Sequence, residues 1–184
     1  MTINLPNILT IIRILFIPMI IYFFFSTYEY SRLLATLVFV AASLTDFFDG
    51  YFARKMKQQT SFGEFLDPIA DKMLVITMLV LLITENNHIL FVIPVIIIIS
   101  REFLVIAIRQ RLAELGDKFR LKVLMISKIK TAFQLVSLFL LLYKVDIYSF
   151  NSYLIGVYLL QAASVLTLIS FIYYVRMSWN AIIK

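Results

Sequence analysis

The sequence has no cysteine and one histidine, and only 15% of its 184 residues are charged. Without cysteine, a disulfide framework, a thiolate metal site and a cysteine nucleophile are all excluded. Four glycines and four prolines leave little chain for linkers or disordered segments. No polar low-complexity run and no internal repeat interrupts the chain, so a single domain over residues 1–184 is expected. The one histidine, His88, lies beside Glu85 and Asn87 and reads as a solvated loop residue.

Apolar sequence is what remains. Hydrophobic residues make up 62% of the chain and the mean hydropathy is +0.94, against about 45–50% apolar residues in a soluble domain. This composition describes an integral membrane protein. The net charge of +6 then reflects anionic membrane lipids and the cytoplasmic bias of Lys and Arg rather than a nucleic-acid partner. Six apolar stretches, near 8–27, 32–54, 62–84, 88–112, 124–143 and 150–176, each approach the ~20 residues that a bilayer requires. Pro6 marks the start of the first, which lacks the basic lead and small-residue cleavage site of a signal peptide and is expected to be retained. The expectation is an all-α polytopic protein, a bundle of six transmembrane helices with a polar cavity facing the cytoplasm. Basic residues orient it. Arg54, Lys55 and Lys57 mark the second connection, and Arg109, Arg111, Lys118, Arg120 and Lys122 the fourth, whereas the other three have only Arg32 and Lys144 at their edges. The positive-inside rule puts the second and fourth connections and both termini in the cytoplasm. Trp179, Tyr173 and Tyr174 read as interfacial anchors.

Residues 45–72 interrupt the apolar sequence with four aspartates, Asp46, Asp49, Asp67 and Asp71. On helices the i, i+3 pair Asp46/Asp49 shares one face, and so does the i, i+4 pair Asp67/Asp71. A bend near 58–61 would bring the pairs face to face. Four uncompensated carboxylates at bilayer depth would cost on the order of 10 kcal/mol. Two divalent cations carry the charge that cancels them, the clamp of two-metal phosphoryl chemistry. Gly50 lies one turn beyond Asp46 and Gly63 one turn before Asp67, where a missing side chain lets a ligand approach the backbone. Arg54 offers a bidentate fork for phosphate. Lys72 follows Asp71, but adjacent helical residues point about 100° apart, which assigns it to another face.

The pattern Asp46-x2-Asp49-Gly50-x2-Ala53-Arg54-x8-Gly63-x3-Asp67-x3-Asp71 resembles the signature of the CDP-alcohol phosphotransferase family. The resemblance implies transfer of a substituted phosphoryl group from a CDP-linked lipid to an alcohol, with release of CMP. It further implies two divalent cations, Mg²⁺ or Mn²⁺. Asp46 and Asp67 would touch both, Asp49 would bind one, and Asp71 would bind the other and act as the base. Gly50, Ala53 and Arg54 would line the cytidine nucleotide site, with Thr60 and Gly63 between the halves. The opening Leu5–Arg13 is also similar to bacterial members, where it lines the nucleotide cavity; this makes Asn7 and Thr10 candidates for binding CDP-diacylglycerol. Capping of the first helix by Asn7 and Thr10, and snorkelling of Arg13 to the headgroups, are the alternatives.

Arg101 lies deep inside the fourth apolar stretch, where a lone charge is expensive. Arg109, eight residues on, returns to a similar face, and Lys128 and Lys130 open the fifth stretch. Two residues apart, those lysines cannot both face one point. Glu102 points elsewhere than Arg101 and reads as an imperfect partner. These four cations suit an acceptor that carries phosphate. The runs Arg101-Glu102-Phe103 and Lys128-Ile129-Lys130-Thr131 resemble the subgroup that makes phosphatidylglycerol phosphate from sn-glycerol 3-phosphate. Homodimerisation, and residence in a bacterial cytoplasmic membrane with the active site facing the cytoplasm, follow from the resemblance. The rival readings are the same chemistry on serine, inositol phosphate or phosphatidylglycerol, and a divalent-cation or proton transporter. A transporter would show matching repeats or broken helices.

The orientation is directly testable in this cysteine-free chain. Cysteines placed at Asn86 or Ser149 should react with an impermeant thiol reagent added to intact cells, and cysteines at Lys55, Lys57 or Lys118 should not; the opposite pattern inverts the topology.

Overall fold

The computed structural model describes residues 5–56, 61–114, 125–145 and 151–182. Side-chain positions in α2 are described up to Thr45, and in the first turns of α3 only at Gly63, Leu66 and from Pro68 onward. Six helices run in order: α1 Leu5–Phe25, α2 Ser31–Met56, α3 Ser61–Glu85, α4 Ile89–Glu114, α5 Met125–Tyr143 and α6 Ser152–Ile182.

Each boundary has a local cause. Pro6 sits in the first turn of α1, where its missing N–H costs nothing. The carbonyl of His88 accepts from the amides of Phe91 (2.8 Å) and Val92 (3.0 Å), while its own Nδ1 accepts from Leu90 N (3.3 Å). His88 is exposed as expected, yet it also caps α4. Asn151 caps α6, its side-chain oxygen taking the amide of Leu154 at 2.9 Å. Lys144 ends α5 with a φ of 53°, the left-handed turn that closes many helices.

Among the described residues, four helical stretches are long and apolar enough to cross a membrane: Asn7–Phe25, Ile89–Leu112, Met125–Tyr143 and Ser152–Trp179. This is a multi-pass membrane protein. The six spans expected from sequence are not all of that kind. The described side chains of α2 end at Thr45, and the stretch Ser31–Thr45 is apolar. In α3 the polar residues Glu64, Asp67, Asp71 and Lys72 come first and leave only 73–84 without charge. α2 and α3 are the helices that carry the aspartate motif.

The chain falls into two compact units, residues 1–85 with 139–145 and residues 86–138 with 146–184. In the first, α1 packs against both α2 and α3. Ile17, Ile20 and Phe24 of α1, Ala35, Phe39 and Ala42 of α2, and Ala70, Leu74 and Met78 of α3 are buried. The small alanines let backbones approach closely, as lipid-embedded packing demands. At one end of this unit Glu85 forms an ion pair with Arg32 and accepts from Lys144 Nζ at 3.4 Å, and the Arg32 guanidinium lies 4.3 Å from the Phe24 ring centroid. Arg32 and Lys144 are the two basic residues that the charge-bias reading assigned to the outer side. One carboxylate serves both.

In the second unit α4 packs against α6. Pro94 interrupts α4 and cannot donate to the carbonyl of Leu90. The amide of Gln161 on α6 donates to that carbonyl instead, at 3.2 Å. Ser137 of α5 likewise donates to the carbonyl of Gly156 on α6 at 2.7 Å. Hydroxyls elsewhere bond back to their own helix, as Thr36 does to Arg32 O at 2.7 Å and Ser43 to Phe39 O at 2.9 Å.

Gln161→Leu should therefore weaken the α4–α6 pairing by about 0.5–2 kcal/mol. In a Pro94→Ala background, where the helix bonds its own carbonyl, the same change should cost much less. Unfolding of the purified protein, measured as a double-mutant cycle, decides it: equal costs in both backgrounds remove the role assigned to Gln161.

Candidate active site

The residues expected to bind nucleotide and metal all belong to the first unit. On α1, Asn7 is 6% exposed and Thr10 and Arg13 are 0% exposed, on the buried face that continues to Ile17 and Ile20. α1 starts at Leu5, so Asn7 and Thr10 stand inside the helix and do not cap it. Arg13 is enclosed, which rules out snorkelling to the headgroups. This polar stretch faces inward between helices rather than toward lipid.

Asp46, Asp49, Gly50, Ala53 and Arg54 lie on the helical backbone of α2, but their side chains fall outside the described residues, as does the side chain of Asp67 on α3; Thr60 lies outside them altogether. Register still relates them to the core. The buried stripe Ala35, Phe39, Ala42 advances by steps of four and three, and the same steps reach positions 46, 49 and 53. On α3, Gly63, Ala70 and Leu74 are buried, and position 67 falls between them on the same stripe. Asp71 is partly exposed. Lys72 Nζ stands 3.9 Å from Asp71 Oδ2, with both side chains about a third exposed (32% and 37%). Contrary to expectation, Lys72 does reach Asp71. At that distance and exposure the pair is weak. Among the described residues no group of three or more His, Asp or Glu is placed to hold a metal ion.

The residues expected to bind the acceptor belong to the second unit. Arg101 is 6% exposed, and Glu102 and Lys130 are each 3% exposed. Arg101 NH1 donates to Glu102 Oε1 at 3.2 Å, Lys130 Nζ pairs with that same oxygen, and Arg101 NH2 donates to Ser170 Oγ on α6 at 3.1 Å. The Ser170 hydroxyl can accept because its own proton goes to Thr167 O, at 2.9 Å. Glu102 is thus a full partner and not the imperfect one that helix geometry implied: a long side chain bends back across the 100° between neighbours. Lys130 joins the cluster and Lys128 is exposed, in keeping with the inability of both to face one point. Arg109 NH2 donates to the Tyr174 hydroxyl at 3.2 Å, and the guanidinium carbons of Arg101 and Arg109 lie 5.9 and 5.7 Å from the Tyr174 ring centroid. Tyr174, expected to anchor at the membrane surface, is 2% exposed and holds both arginines. Tyr173 and Trp179 remain exposed. Sequence reasoning passed over Ser170 and gave Tyr174 a surface role, although both lie on α6 with the i, i+4 spacing of one face.

A family model described as CDP-alcohol phosphatidyltransferase matches residues 3–176. The chain belongs to the CDP-alcohol phosphatidyltransferase family. Membership covers α1 through most of α6 and includes the whole aspartate pattern. The chain is also similar along its length to bacterial proteins named CDP-diacylglycerol–glycerol-3-phosphate 3-phosphatidyltransferase. Identity is 35% to that of Wigglesworthia glossinidia brevipalpis, over the full length of both chains. It is 39% to that of Haemophilus influenzae, covering 100% of this chain and 97% of the relative. It is 40% to that of Pseudomonas fluorescens, covering 96% and 90%.

Proposed function

We propose that the chain transfers the phosphatidyl group of CDP-diacylglycerol to sn-glycerol 3-phosphate, giving phosphatidylglycerophosphate and CMP. The end-to-end similarity to enzymes named for this reaction carries the reading. The buried Arg101–Lys130 cluster supports a phosphorylated acceptor over serine or free inositol, because two buried cations suit a dianion.

Asp46, Asp49, Asp67 and Asp71 fit two divalent cations, Mg²⁺ or Mn²⁺: hard carboxylate oxygens are the donors such ions take, and positions 46, 49 and 67 continue buried helix stripes. When bound, those ions neutralise the carboxylates and the substrate's pyrophosphate. Asn7, Thr10, Gly50, Ala53, Arg54, Thr60 and Gly63 bind CDP-diacylglycerol, with the glycines admitting the nucleotide close to the backbone. Asp71, the partly exposed carboxylate, takes the proton from the acceptor's hydroxyl. The freed oxygen attacks the lipid-side phosphorus in line, the bond to the CMP oxygen breaks, and CMP departs. Arg101 holds the acceptor's own phosphate, with Lys130 and Arg109 beside it; Lys128 is the weaker candidate. Once cations cancel their carboxylates, α2 and α3 can cross the bilayer as well. Residues 1–184 then form one six-span domain of a bacterial cytoplasmic membrane, with its polar cavity open to the cytoplasm. Homodimerisation is carried by family resemblance alone.

Release of CMP from CDP-diacylglycerol by purified protein, with Mg²⁺ and a panel of acceptors, tests the reading. Glycerol 3-phosphate should support turnover; preference for serine, inositol phosphate or phosphatidylglycerol would reassign the acceptor. Asp46→Asn and Asp67→Asn should each abolish CMP release at wild-type expression. Asp71→Asn should keep CDP-diacylglycerol binding and lose about 10²–10⁴-fold in turnover; normal single-turnover chemistry in that variant makes Asp71 a ligand only. Arg101→Gln should raise the KM for glycerol 3-phosphate by about 10–150-fold and leave that for CDP-diacylglycerol nearly unchanged. Equal damage to both makes Arg101 structural.

A further inference from the structure

Polar contacts between α4 and α6 climb both helices together: Leu90 with Gln161, Arg101 with Ser170, Arg109 with Tyr174. Arg101 and Arg109 are about 12 Å apart along α4. Their guanidinium carbons nonetheless lie 5.9 and 5.7 Å from the centroid of one ring, that of Tyr174. Arg101 has other holds, on Glu102 Oε1 and Ser170 Oγ. Its Nε is buried with no hydrogen-bond partner among the described residues, which leaves one edge of the fork with a donor to offer. Arg109 is placed differently. It is an exposed residue near the end of α4, where a long cationic side chain ordinarily carries its head out to water. Here NH2 turns inward and donates to the hydroxyl of a tyrosine that is 2% exposed. A guanidinium is planar and rigid, so holding one nitrogen fixes the direction of the remaining donors.

We infer that Tyr174 is a positioning residue for a soluble phosphate: its hydroxyl and ring turn Arg109 from water toward the site of Arg101, so that both guanidiniums meet one ligand. The inference rests on the reading that Arg101 and Arg109 hold the acceptor's phosphate, and it names what brings the second of them there. In this role Tyr174 acts through the arginines and touches no reacting atom. The hydroxyl acts on Arg109 alone, whereas the ring acts on both arginines. Removing the hydroxyl and removing the ring are therefore different experiments. The alternative is a structural role, in which a buried phenol needs a partner and Arg109 serves Tyr174 rather than the reverse. Loss of the hydroxyl would then not discriminate between the two substrates.

The test uses purified full-length protein in detergent. Tyr174→Phe should raise the KM for glycerol 3-phosphate about 2–10-fold, the effect of one hydrogen bond. Tyr174→Leu should raise it about 2–10-fold further, since the ring contacts go as well. The KM for CDP-diacylglycerol should stay nearly constant, and kcat at saturating acceptor should change far less than the acceptor's KM. With Arg109→Gln already present, Tyr174→Phe should add nothing, while Tyr174→Leu should still add its part through Arg101. An equal rise in both KM values, or a Tyr174→Phe effect that persists beside Arg109→Gln, overturns the inference. Tyr174→Phe removes one oxygen and leaves Arg109 within reach of water, so it decides the matter alone should Tyr174→Leu fail to fold. Inorganic phosphate supplies a readout without turnover, through the unfolding temperature. Half of the rise should need more phosphate in Tyr174→Phe than in wild type, and more again in Tyr174→Leu. That ordering supports the inference even where CMP release favours an acceptor without phosphate, a result that would end the acceptor reading alone. An identical response in all three proteins, or none in wild type, overturns it. So does a response to short-chain phosphatidic acid without one to glycerol 3-phosphate, which would give the site to a lipid headgroup.

Discussion

A charge held away from water must be cancelled where it stands, and the polar architecture of this protein follows from that requirement. Glu102 lies among apolar residues of α4 and draws Arg101 from its own helix and Lys130 from α5 onto one oxygen. Ser170 and Tyr174 complete the arrangement from α6. Removing Glu102 would take its carboxylate from both cations, and breaking a buried pair costs about 3–5 kcal/mol. In the first unit Glu85 does the same for Arg32 and Lys144 at the helix ends. Glu102 ties α4 to α5, with α6 joined through Arg101 and Ser170, and Glu85 ties three segments of the other unit.

The backbone obeys the same rule. An apolar surround offers no water to a carbonyl that has lost its helical donor, so the interruption at Pro94 has to be met from another helix. Gln161 meets it, and in doing so fixes which part of α6 lies against α4. Ser137 and Gly156 make a second such tie between α5 and α6. Apolar packing alone discriminates poorly among helix partners, because lipid is as apolar as leucine. A few polar contacts therefore carry the specificity of packing.

The aspartate-bearing helices are where stability yields to chemistry. α2 and α3 are the two helices that carry the family's pattern. A helix that served only to span would have no use for Asp46, Asp49, Asp67 and Asp71. In the proposed function the same carboxylates hold divalent cations at a phosphoryl-transfer site. The charged cluster around Arg101 is of another kind. It is built from side chains that pair with one another, whereas the aspartates are all of one sign.

Much of this was legible in the chain. Helix boundaries came within three residues except at the end of α6, which runs on to Ile182, because apolar stretches end at Pro, Asn, Lys and acidic residues, which act locally. The aspartate pattern stood out because four like charges in apolar sequence need an external partner, and the spacing of glycine and arginine named the family. Side-chain partnership was another matter. That Glu102 bends back to Arg101 and reaches Lys130, that Tyr174 is buried beneath two arginines rather than lying at the membrane surface, and that Gln161 answers Pro94 all depend on which helices touch and at what height. Local sequence determined the elements and the chemistry, since propensity, charge cost and motif spacing act within a few turns. Tertiary structure alone decided the pairings, because residues 28, 65 and 71 positions apart meet only once the helices have packed.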